Sequence, residues 1–126
     1  MKKIVFAALV ALVSTSAFAG GRYFKCEGFG NVDEYRSSID LKKKSADFFD
    51  NDTTSDLKLT KVGMLESLPP QWQYTFEGKD ESSEGSILRL IFNRTKLTAS
   101  IYSISEDGKS TKIGSTDCKE LNSSED

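Results

Sequence analysis

Gln71-Trp72-Gln73-Tyr74-Thr75-Phe76-Glu77 alternates apolar and polar residues without a break. A strand turns successive side chains to opposite faces, so this segment puts Trp72, Tyr74 and Phe76 inward and Gln71, Gln73, Thr75 and Glu77 outward. The same period of two runs through the segments around it. Ser86 to Asn93 sets Leu88, Leu90 and Phe92 on one face and Ile87, Arg89 and Ile91 on the other. Thr95 to Ser105 sets Leu97, Ala99 and Ile101 against Thr98, Ser100 and Tyr102. Between the first two lies Gly78 to Gly85, a charged hairpin loop. After the third comes Glu106-Asp107-Gly108-Lys109, whose Asp-Gly marks a tight hairpin turn.

Upstream, Leu68-Pro69-Pro70 stops a strand, because proline has no N–H for a ladder. Before that stop, Asp56 to Val62 places Leu57 and Leu59 on one face. Asp50 to Ser55 is a turn cluster. Ser38 to Phe49 carries Ile39, Leu41, Ala46 and Phe48 at one parity, as one bent strand or two short ones. Tyr23 to Phe29 is the first strand, broken by Gly28 and Gly30, and Ser110 to Leu121 is the last. Asn31 to Ser38 is the one stretch read as helical, for a turn or two. Seven to eight short strands with hairpin-length loops predict an all-β domain, a small antiparallel barrel or sandwich.

The first 19 residues stand apart. Lys2 and Lys3 precede a ten-residue apolar run, Ile4 to Val13, and Ala17-Phe18-Ala19 offers the small-x-small pattern of signal peptidase. Ten residues rise only ~15 Å as a helix, half of a ~30 Å bilayer core, so the segment reads as a cleavable signal and not an anchor. Cleavage after Ala19 predicts a periplasmic or secreted protein, and the double-lysine start fits a bacterial signal. Residues 20–126 then form one β domain, with 122–126 a polar, frayed tail. No later segment has the ~18 apolar residues of a spanning helix. A membrane barrel is disfavoured by the Lys, Asp, Gln, Thr and Ser at outward parity.

Losing Lys2 and Lys3 leaves 15 basic against 19 acidic residues, a net charge of −4 for 107 residues. That balance argues against nucleic acid, which demands a basic surface. Lys42-Lys43-Lys44 is the one basic run and reads as solvated surface. The chain has no histidine, which removes His-based triads and His-type metal sites. Cys26 and Cys118 are the only cysteines. In an exported chain an even count predicts a disulfide, and a loop of about 90 residues makes it worth about 4 to 5 kcal/mol. A bond between first and last strands fits a barrel best, since closure makes those strands neighbours.

Three candidate sites follow. Asp50, Asp52 and Asp56, with Thr54, share the alternating oxygen spacing of the first half of an EF-hand loop. Ser55 stands at the glycine position and Lys61 at the twelfth, and the flanks are strands, so a solvated turn accounts for them better. Trp72, Tyr74, Phe76 and Phe92 are candidates to line an apolar ligand cavity, with a filled core as the competing reading. Nucleophilic catalysis finds no G-x-S-x-G elbow and no histidine base, and the carboxylates are scattered over turns and outward positions. No cofactor is expected. Asn51, Asn93 and Asn122 begin sequons, read as chance matches in a bacterial chain.

Tyr23-Phe24-Lys25-Cys26-Glu27-Gly28, just after an export signal, resembles the opening Y-x-C-x-G of small periplasmic C-type lysozyme inhibitors. The resemblance implies a compact eight-stranded barrel with a disulfide. That family's Ser-Gly-x-x-Tyr loop motif does not occur here, and Ser83-Glu84-Gly85-Ser86 lacks the tyrosine, so no site residue carries over. The sequence thus predicts a non-enzymatic exported binding protein whose partner is a protein or a small apolar ligand. A lysozyme-inhibitor-like protein is the first alternative. A carboxylate-dependent hydrolase and a structural envelope protein are the others.

Overall fold

The computed structural model describes residues 22–121. Residues 1–19, read above as a signal, and the tail from 122 to 126 lie outside them. Eight antiparallel strands form one closed barrel: β1 Tyr23–Glu27, β2 Tyr35–Asp40, β3 Ser45–Asp50, β4 Thr54–Leu65, β5 Gln71–Lys79, β6 Ile87–Asn93, β7 Thr98–Ile104 and β8 Ser110–Leu121. Each strand pairs with its neighbour in sequence, and β8 returns to β1. The barrel, not the sandwich, is the architecture, and the strand count is eight.

One detail differs from the sequence reading. Asn31 to Ser38 is not helical: a single 3-10 turn spans Phe29–Asn31, and Tyr35 already begins β2. Gly28 and Gly30 make that turn at positive φ, which their missing Cβ allows. Ser38 to Phe49 resolves into two strands joined by a turn, in which Lys44 adopts positive φ.

The core is what the alternation builds when the sheet closes. Phe24, Ile39, Phe48, Leu57, Phe76, Leu88, Leu90, Phe92 and Ile101 are all at most 2% exposed. Phe24 and Phe92 meet across the interior with ring centroids 4.7 Å apart, and Phe48 packs against Phe29 and Tyr35, each at 5.6 Å. Aromatic rings at these distances fill the barrel axis. The buried hydroxyls are satisfied. Ser37 donates to the Asp47 carbonyl, and Ser55 accepts the Glu81 N–H at 3.0 Å, which fastens the β5–β6 loop to β4. Asp80 caps the same loop by accepting the Ser82 N–H and hydroxyl.

Closure rests on a short seam. β1 and β8 share four registered pairs, from Tyr23 opposite Leu121 to Cys26 opposite Cys118. Lys25 faces Lys119 within it, a like-charge pair that weakens the ladder. The Cys26–Cys118 disulfide sits at its inner end and bridges 92 residues of sequence.

The β4–β5 hairpin is longer than the barrel. β4 runs on to Leu65, three residues past the end read from sequence, and pairs with β5 through Leu65 opposite Gln71. A bulge between Leu59 and Lys61 inserts one residue. It shifts the alternation, so that Leu59, Val62 and Met64 lie opposite Phe76, Tyr74 and Trp72 on one face.

Candidate interaction surface

The inner face of this hairpin continues past the mouth of the barrel. Phe76 is fully buried, Tyr74 is half-buried with its ring 6.4 Å from Phe92, and Trp72 is 47% exposed. Trp72 therefore corrects the sequence reading: its parity is inward, but at its level there is no barrel left to enclose it. Its backbone is held in place, accepting the Arg94 N–H at 3.0 Å and donating to Thr95 Oγ1 at 3.0 Å. Met64 lies directly opposite it on β4, 49% exposed, and Val62 follows at 47%. Leu65, on the other face, and Leu68 at the tip complete the set, Leu68 being wholly exposed. Residues 60 to 72 carry two charges, Lys61 and Glu66. The hairpin arm thus presents five large apolar side chains to water, Val62, Met64 and Trp72 of them together on one face.

The four aromatic candidates do not surround one recess. Phe76 and Phe92 are sealed among core side chains, Tyr74 packs on them from the rim, and Trp72 stands outside. What opens beside the arm is a groove of about 580 Å³ on the outer face, lined by Lys61, Gly63, Leu65, Gln73, Glu77 and Arg89 among others. Arg89 and Glu77 are ion-paired across β5 and β6 there.

The acidic candidates are dispersed. Asp50 accepts the Thr53 N–H at 3.2 Å and Asp52 the Thr53 hydroxyl at 3.1 Å, both within the β3–β4 turn. Asp56 lies on β4, exposed and opposite Asp47. Among the described residues no group of three or more His, Cys, Asp or Glu is placed to share a metal ion.

Asp47 and Asp56, both members of the acidic run Asp47, Asp50, Asp52 and Asp56 in the sequence, form a cross-strand carboxylate pair. Only the β3–β4 register brings them together, in a groove of about 510 Å³ that also holds Lys25, Lys43 and Lys58. Burial raises the Asp47 carboxyl from its ordinary value, the Ser38 N–H opposes this, and the charge of Asp56 adds to the rise. Paired carboxylates are the raw material of acid–base hydrolysis. Here, however, Asp47 has a structural task. The β2–β3 register skips from Arg36 opposite Phe49 to Ile39 opposite Ala46, and Asp47 bridges the gap by accepting the Ser38 N–H at 2.9 Å.

Asn93 is buried, donating to Gln71 and accepting the Lys96 N–H, so its amide has no room for a glycan. Among the described residues no helix is long and apolar enough to cross a membrane. No family model, no curated protein and no solved structure matches this chain.

Proposed function

We propose that this protein is a non-enzymatic, exported binding protein that recognises the surface of a protein partner through its β4–β5 arm. The supporting observation is a contrast within one sheet. The barrel interior is filled by aromatic rings, while the same apolar face, carried beyond the mouth, leaves Trp72, Met64 and Val62 in water. A filled core favours surface recognition over an enclosed small ligand. Tryptophan and its neighbours on a rigid scaffold make an effective anchor, because little conformational entropy is lost when they dock.

The test is a pull-down from cell envelope and culture fluid with the oxidised chain as bait, lysozyme being added as one defined partner. Trp72→Ala and a Met64→Ala/Leu68→Ala pair serve as arm variants. A partner held by the wild type and lost by both variants, with unchanged thermal midpoints, is the expected result. A partner retained equally by all three baits would place recognition elsewhere. Lysozyme captured and inhibited would select the inhibitor-like alternative.

A further inference from the structure

The arm has an open edge as well as an apolar face. β3 is registered with β4 only as far as Lys58, and the last backbone bond on that side runs from the Leu59 N–H to the Lys44 carbonyl at 2.9 Å. From Thr60 to Leu65, β4 pairs with β5 alone among the described residues. Along its other side every second residue of this stretch turns its N–H and C=O groups to solvent. The overhang of β8 differs, because there the Phe29–Asn31 turn packs on Gly114. An exposed apolar edge is a template for a further strand.

We infer that this edge pairs with the same edge of a second copy of the chain, antiparallel about a two-fold axis at Gly63; the inference rests on the arm being the interaction surface. In such a pairing, facing residues share one face of the joint sheet, so they have the same parity on β4. The register centred on Gly63 sets Val62 of each copy against Met64 of the other, Lys61 against Leu65 and Thr60 against Glu66. No like charges are opposed, and each Lys61 enters beside the Leu65–Glu66 end of the other copy. The two charges of the arm are thus complementary when the arm meets itself. Gly63 suits the axis, since the position of its missing Cβ faces open space. The result is a four-stranded arm sheet, in the order β5-β4-β4-β5, whose apolar face carries Val62, Met64 and Trp72 from both copies.

Six residues of edge and three half-exposed side chains fall well short of the ~800 Å² per partner of stable interfaces. The dimer is therefore weak, with Kd on the order of 100 µM. Sedimentation equilibrium of the oxidised full chain, from about 10 µM to about 1 mM, tests it. The wild type should pass from monomer to dimer mass over that range. Val62→Lys alone and Met64→Glu alone should each raise Kd by about tenfold or more. The double variant Val62→Lys/Met64→Glu should recover association, because the two new charges face one another across the axis. Thermal midpoints of all variants establish that they remain folded. A wild type that stays monomeric at about 1 mM overturns the inference, as does a double variant no better than the singles. A monomeric chain that still captures a foreign partner through Trp72 would refute self-pairing and leave the proposed function standing.

Discussion

Removing the Cys26–Cys118 bond is the perturbation whose magnitude follows most directly from the structure. The bond closes a loop of 92 residues in sequence. The chain-entropy relation gives about 4.6 kcal/mol at 25 °C for a loop of that length. The seam it fastens has four registered pairs, one of them Lys25 against Lys119, so the ladder alone is a weak closure. Domains of this size have net stabilities of about 5–15 kcal/mol, which leaves the unbridged barrel marginal. Urea unfolding should be compared for the oxidised chain, the reduced chain and Cys26→Ala/Cys118→Ala. The reduced chain keeps both sulfurs in place, so its difference from the oxidised chain isolates the cross-link. The expected loss is about 3–5 kcal/mol, with a larger m value because the denatured chain expands. The alanine pair should lose about 1 kcal/mol more, since Cys26 is fully buried. A loss below about 1 kcal/mol on reduction would refute the reasoning, for the denatured chain would then hold its ends together without the bond.

Gly78→Ala should destabilise by about 2–4 kcal/mol, because the new Cβ would lie 2.1 Å from the Asp56 carbonyl oxygen; Gly63→Ala, with nothing nearby, should leave the thermal midpoint almost unmoved. Phe92→Ala should cost about 3–5 kcal/mol in urea unfolding, whereas Trp72→Ala should cost under about 1 kcal/mol and act on binding instead. Asp47→Asn should be neutral to slightly stabilising at pH 7, by no more than about 0.5 kcal/mol given its partial exposure. Asn keeps an oxygen for the Ser38 N–H and removes the charge. The sign follows from the raised folded-state pKa: at neutral pH the charged form opposes folding, and the opposition is relieved as pH falls through that pKa toward the unfolded value of 3.8. The advantage of Asn should therefore vanish in acid, and an advantage that grows on acidification would contradict this account.

Much of the barrel was legible because period-two patterning is a property of each strand by itself. Leu88, Leu90 and Phe92 share one face by parity, as do Ala99 and Ile101, and all five are buried. The expectation that Cys26 pairs with Cys118 rests on the even count in a chain read as exported, and closure of the barrel makes their strands neighbours. Reading failed where one residue breaks the count. Val62 and Met64 sit at the parity opposite to Leu57 and Leu59, so the alternation seemed to end at Val62. The bulge after Leu59 restores them to the same face and carries β4 on to Leu65. Trp72 shows a second limit. Periodicity assigns a face to a residue but not a depth along the barrel, and its face was read correctly while its surroundings were not. The Asp47–Asp56 pair shows a third limit: both residues belong to one acidic run of the sequence, yet residues nine apart become direct neighbours only through a register that the turn at Asp50 to Thr53 sets.

The covalent seam has a consequence for how the molecule withstands damage. Between Cys26 and Cys118 the polypeptide is a closed ring, and every hairpin loop lies on that ring. A single proteolytic cut, such as one in the exposed stretch from Glu81 to Gly85, opens the ring without releasing either piece. The nicked halves stay tethered through the bond and through the strand pairs that flank the cut, and migrate apart only once the sulfurs are reduced. Integrity becomes a matter of two breaks and not one, a property suited to the exported role proposed above.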